Sequence, residues 1–152
     1  MVEGWPKPNF YGDEEHLANS YRYDIEVSLL IGLILDNYLW AEMPEMEQLE
    51  PSDFVRPVHG AIFSVIKTLK EANEKPNFFT VGLYFYNAFP DYYKAIDGDR
   101  WFNERAHEYY WYAISRDNLS QYAKDIMRGM DNCRAEMGLP IKKRSRKRSI
   151  EL

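Results

Sequence analysis

The sequence predicts an all-α protein: a compact multi-helix head followed by a C-terminal antiparallel helical hairpin. Three observations predict it. Apolar side chains recur at three-to-four spacing through the long segments between residues 24 and 138, which is the period of one helix face. The prolines stand at the joints of that pattern and not inside it, as residues that break helices should. The last two amphipathic segments are joined only by Arg116-Asp117-Asn118, and helices on so short a link lie antiparallel. About six to eight helices are expected, and no strand.

Residues 1–23 read as an extended N-terminal arm. Pro6 and Pro8 oppose helix, Trp5, Phe10 and Tyr11 supply rings with which to dock, and Asp13-Glu14-Glu15 is a solvated stretch. The helical head covers residues 24–100. From Asp24, the rows Ile25/Leu29/Leu33 and Leu30/Ile34, with Ile31 and Leu35, make a helix apolar on nearly every side. Such a helix belongs at the centre of a domain. A strand is the rival reading of this β-branched run, and its length favours helix. Asp24 and Glu26 in the first turn suit the helix dipole. Met43, Met46 and Leu49 at spacing three suggest a short helix after Pro44, and Glu50 to Phe54 reads as a turn. Pro57 opens a longer helix, with Val58, Ile62, Val65, Ile66 and Leu69 on one side. Asn73 to Asn77 is a loop, Thr80 is expected to cap a short helix through Tyr86, and Pro90 interrupts the chain. The hairpin spans residues 101–138: Trp101–Ser115, a cap at Asp117 or Asn118, then the stripe Leu119, Tyr122, Ala123, Ile126, Met130, Cys133 and Met137. Gly138 and Pro140 stop it. Residues 139–152 form a basic tail.

The 152 residues carry a net charge of −5 that is unevenly spread. Lys142, Lys143, Arg144, Arg146, Lys147 and Arg148 against Glu151 make the tail +5, so residues 1–138 hold −10. An acidic body repels a phosphate backbone, and any nucleic-acid contact falls to the tail. The N-terminus lacks a secretion-signal pattern, and the longest apolar run, Val27 to Leu35, is far short of a membrane span. A single cysteine, Cys133, excludes an intramolecular disulfide framework and fits a reducing, cytoplasmic setting; on the apolar stripe it reads as a small buried hydrophobe. The eight glycines are scattered singly and no phosphate-loop, HExxH, CxxC or calcium-loop pattern occurs, so no nucleotide or metal cofactor is expected. His16, His59 and His107 stand far apart and read as capping, surface or core residues. Asp97 and Asp99 around Gly98 read as a turn. No nucleophile and base can be paired, so no enzyme activity is expected.

Four blocks in order then become informative. Asp24-Ile25-Glu26, followed by the apolar run to Asp36, resembles the opening helix of the N-terminal domain of DnaB-type replicative helicases. Leu49-Glu50-Pro51-Ser52-Asp53-Phe54-Val55-Arg56-Pro57-Val58-His59-Gly60-Ala61-Ile62-Phe63 resembles that family's L-x-P-x-D-F turn, P-x-H and I-F. Phe79-Thr80-Val81 is similar to its Thr-Val helix start, and Asn118 to Ile126 to its closing N-[IL]-x-x-Y-A-x-x-[IV] helix. The matching positions Asp24, Glu26, Asp53, Phe54, Pro57, His59, Ile62, Phe63 and Thr80 imply mainly structural roles, with His59 tying the turn to its helix. The family's ATPase domain, with its phosphate loop, arginine finger and DNA-binding loops, has no counterpart in these residues.

The resemblance implies a collar-type domain, in which hairpins pair subunits and the collar binds primase. The expected function is therefore a non-catalytic replication protein. It would form a homodimer or higher oligomer, or bind a replicative helicase or primase, and could be a phage or mobile-element modulator of a host replisome. A two-helix hairpin cannot bury all its rings on one internal face, and leftover aromatics anchor interfaces. The expected protein interface is Trp101, Tyr109, Tyr110, Tyr112, Leu119, Tyr122, Ile126 and Met130. Two alternatives stand beside this one: a nucleic-acid accessory protein gripping phosphates through the tail, and an excised N-terminal domain of a full-length ATP-dependent DNA helicase.

Overall fold

The computed structural model describes residues 21–36 and 39–140; the first twenty residues of the expected arm, positions 37 and 38, and the tail from residue 141 lie outside the described residues. Helix α1 (Tyr21–Leu35) is the axis of the structure. Val27, Leu29, Leu30 and Ile31 are fully buried, as its nearly continuous apolar run requires. The helix begins at Tyr21, three residues before Asp24, and two of the added residues have partners. The Tyr23 hydroxyl accepts from Arg105 Nε at 3.0 Å, and Arg22 reaches Cys133 and the Gly129 carbonyl.

After α1 come α2 (Leu39–Glu42) and two 3₁₀ turns, Pro44–Glu47 and Pro51–Asp53. Met43, Met46 and Leu49 point inward. The second turn is closed by Asp53 Oδ2, which accepts from the Glu50 N–H at 2.8 Å. Helix α3 (Pro57–Glu71) carries Pro57 in its first turn, where a missing N–H costs nothing. Its expected stripe is buried, together with His59, Gly60, Ala61 and Phe63, so α3 is covered on more than one side. The Phe63 ring stacks on Trp40 at 5.5 Å and lies 5.1 Å from Phe54.

Helix α4 (Phe78–Ala88) is capped by Asn77, whose Oδ1 accepts from the Thr80 N–H at 2.8 Å. Thr80 is thus the third helical residue and not the cap the sequence suggested. Asn77 was hidden because it follows Pro76 inside an apparent loop. Helix α5 (Pro90–Ile96) leads through Asp97, in a left-handed conformation (φ 54°), into α6 (Gly98–Ala113). Helix α7 (Arg116–Glu136) is capped by Ser115, whose Oγ accepts from the Asn118 N–H at 3.4 Å; Asp117 and Asn118 lie inside the helix. Its C-terminus closes with Gly138 at φ 72°, the Gly138 N–H on Ala135 O and the Leu139 N–H on Arg134 O. This is the double hydrogen bond of a Schellman stop.

Among the described residues there are seven α-helices and no strand. Helices α6 and α7 both lie along α1. Trp101, Phe102, Ala113, Leu119, Ala123, Ile126 and Met127 join the same hydrophobic cluster as the head residues. At this contact, a Cβ on Gly32 would sit 2.9 Å from the Ala113 carbonyl oxygen and 2.4 Å from Leu119. Gly32 therefore sets how closely α1 approaches the α6–α7 corner. Arg116 at that corner pairs with Asp36 at 2.9 Å and with Glu42.

Candidate interaction surface

The first two of the four blocks meet in a buried polar cluster between α1 and the start of α3. Glu26 Oε2 accepts from the Val55 N–H at 2.6 Å, and Oε1 lies 2.7 Å from His59 Nδ1. The Arg56 guanidinium lies 3.4 Å from His59 Nε2 and 5.1 Å above the Tyr23 ring. Burial pushes the Glu26 carboxyl up to about 8, against hydrogen bonds from the Val55 and Arg56 backbone and the charge of Arg22. Burial, then the charges of Arg56 and Arg105, hold His59 well below 6.5. The two groups are close enough to share one proton. With a fully covered carboxylate and imidazole, the cluster is a pin between helices and offers no approach to a substrate. Of the other motif residues, Asp53, Phe54, Ile62 and Phe63 are buried, whereas Pro57 and Asp24 are exposed.

The outward surface differs from the expected one. Trp101, Leu119 and Ile126 are only 3%, 1% and 3% exposed. They face α1 and the head within one chain, so the expectation that they meet a partner is corrected: the single subunit already covers them. Tyr109, Tyr122 and Met130 are half-buried, and Tyr110 and Tyr112 are exposed. The Tyr109 hydroxyl donates to Asp24 Oδ1 at 2.7 Å, and burial raises its pKa. With Tyr112, Tyr122 and Glu108 these groups line a cleft of about 340 Å³. Trp111, absent from the expected interface, is 76% exposed and lies edge-on to Tyr110 at 5.4 Å. The signal for it was Ala113: a residue two positions before a small buried one lies about 200° round the helix. Cys133 is half-buried beneath Arg22, and so is less enclosed than expected. His107 is exposed. His16 and the tail cations Lys142 to Arg148 lie outside the described residues.

A second apolar surface escaped the sequence reading. Phe79, Leu83 and Tyr86 are exposed on α4, with Phe79 at 80%. Spacing of i, i+4 and i+7 reads as a core stripe, yet Val81 and Phe85 form the buried side. Both faces of α4 are apolar, and periodicity cannot say which one is covered.

Among the described residues no group of His, Cys, Asp and Glu could hold a metal ion, and no helix is long and apolar enough to cross a membrane. The described residues thus form an all-helical domain with a polar pin between α1 and α3 and exposed rings on the α6 flank. Residues 18–128 match the family described as DnaB-like helicase N terminal domain, and the chain belongs to that family. Comparison with curated proteins and with solved structures returned no match.

Proposed function

We propose that this chain is a non-catalytic replication protein of the helicase-collar type. It self-associates, or engages a replicative helicase or primase, through the outer flank of α6. The supporting observation is the exposed group Tyr110, Trp111, Tyr112 and Ile114, a largely aromatic surface left open among the described residues. Aromatic residues of this kind carry the binding energy of interfaces. A standard-size dimer would bury about 1,600 Å² in total. A bacterial or phage-infected cytoplasm, and action as a modulator of a host replisome, are consistent with that role.

Sedimentation velocity at tens of micromolar tests the reading. The full chain is expected to sediment as a dimer or larger species, or to retain purified helicase or primase on a column. Trp111→Ala with Tyr112→Ala is expected to abolish this while leaving the circular dichroism unchanged. A monomer that retains neither protein would refute it. A second reading, nucleic-acid binding by the tail, is favoured by the separation of charge between a −10 body and a +5 tail.

A further inference from the structure

The cleft of about 340 Å³ lies where α6 meets α1 and α7. The rings of Tyr109, Tyr112 and Tyr122 line it, together with the carboxylates of Asp24 and Glu108. The Tyr109 and Tyr112 rings stand 6.3 Å apart at 53°, so they make a corner of two ring faces and not a closed stack. Each carboxylate has one oxygen engaged. Asp24 Oδ1 accepts from the Tyr109 hydroxyl, and Glu108 Oε1 accepts from Arg105. The second oxygen of each has no partner among the described residues. Arg105 does not line the cleft; its Nε is held by the Tyr23 hydroxyl. Ser28 does line it. That side chain is only 2% exposed, and no described group partners its hydroxyl. A buried hydroxyl calls for a partner, and the cleft is the side from which one can come.

Carboxylate oxygens and the negative faces of aromatic rings together favour a cation. Only two carboxylates reach the cleft, and among the described residues no group of three His, Cys, Asp or Glu side chains could hold a metal ion, so the cation is organic. A guanidinium suits the site better than an ammonium. It is planar and weakly hydrated, it stacks on rings, and it carries five donors for acceptors that stand apart. We propose that the cleft receives an arginine side chain of a different protein, one that docks on the α6 flank. The inference rests on the reading of that flank as an interface, because Tyr112 belongs to both, and it adds the chemistry of the partner. Charge complementarity supports it: residues 1–138 hold −10, and a body of that sign steers basic surfaces toward itself. The arginine is assigned to another protein because Arg100, Arg116 and Arg128, the exposed arginines among the described residues, each face a carboxylate of their own chain.

The probe is the blocked tripeptide acetyl-glycyl-arginyl-glycinamide, titrated into the full chain and followed by heteronuclear NMR. The expected result is saturable amide shifts at residues 24–28, 108–112 and 122, with a dissociation constant on the order of millimolar. The uncharged citrulline counterpart is expected to give none, and the lysine counterpart to bind severalfold more weakly. Asp24→Asn with Glu108→Gln keeps an acceptor at both positions. It is expected to weaken peptide binding, and retention of purified helicase or primase, about tenfold each, with circular dichroism and sedimentation unchanged. Ser28→Ala is expected to weaken peptide binding about threefold. Shifts elsewhere, an equal response to the citrulline peptide, or an affinity indifferent to the double substitution would each overturn the proposal. So would a double variant that loses self-association instead, which assigns the arginine to a second copy of this chain. A chain that retains helicase or primase without binding the peptide loses the cleft and keeps the flank reading. A chain that binds the peptide there but retains neither protein refutes the flank reading, and the proposed partner with it.

Discussion

Glu26 and His59 confine one acid–base pair to the interior, and the proton count fixes how that pair responds to pH. The folded pair keeps one proton up to about pH 8, because burial raises Glu26, and takes no second one until well below 6.5, because burial lowers His59. Unfolded, with ordinary values of 4.5 and 6.5, the same two groups hold two protons below 4.5, one between, and none above 6.5. Stability from the pair is therefore level between those values and falls on either side. The alkaline loss, complete near pH 8, is on the order of 1–2 kcal/mol. Melting curves from pH 5 to 9 should show it, and Glu26→Gln should remove the decline above pH 6.5; a decline that survives the substitution contradicts the assignment. The sequence marked both residues through their motif and expected His59 to tie the turn to the helix. It does touch Arg56 at that joint, but its closer partner Glu26 lies 33 positions away, a distance no local pattern reports. Gly32 tells the same story in reverse. A glycine inside a helix costs up to about 1 kcal/mol against alanine, so Gly32→Ala would stabilise if the site were open. With the Ala113 carbonyl 2.9 Å from the new Cβ, the expected result is a loss of about 1–3 kcal/mol. Gly82→Ala, whose Cβ would meet only the Phe102 ring at 4.0 Å, is expected to be neutral or slightly stabilising in the same urea titration.

At the scale of elements, helix positions were legible where one apolar face is followed by a breaker. The burial of α3 at Val58, Ile62, Val65, Ile66 and Leu69 is the pattern read from the sequence, and Gly138 stops α7 where a left-handed residue was expected. Helix starts were less legible, since several polar residues compete for each cap. Thr80 and Asn77 are three apart and both qualify as cap types; the choice falls to Asn77 because its backbone is extended (φ −148°) while the chain turns helical at Phe78. Asn77→Ala is therefore expected to cost about 1 kcal/mol and Thr80→Ala much less, measured by chemical denaturation. Equal effects, or the reverse order, would return the cap to Thr80. The α6–α7 pair was legible as a hairpin but not its inner side. Both helices bury a face against α1, and a contact made with a helix some eighty residues earlier determines which rings remain outside. That is why Trp101, Leu119 and Ile126 were assigned to an interface, while Trp111, counted among the hairpin's surplus rings, was left out of it.

At the scale of the whole molecule, charge separation gives the tail a role that can be measured apart from the core. The Schellman stop at Gly138 and Leu139 completes α7 before the cations begin at Lys142. A chain ending at Pro140 should keep the same helicity and melting temperature, because its last carbonyls remain satisfied. What it loses is the +5 of the tail, leaving a body of −10. If the tail grips phosphates, affinity of the full chain for DNA should fall with salt at a log–log slope of about −4 to −5, as expected for neutralising some five phosphates. The shortened chain should then show no binding at any salt, since its net charge repels the polyanion. The helicase or primase retention proposed for the α6 flank should survive the deletion unchanged. Titration of a fluorescent duplex at two salt concentrations separates the outcomes. Binding that persists in the shortened chain would place the nucleic-acid contact on the acidic body, and a flat salt dependence in the full chain would mean that the tail neutralises no phosphates.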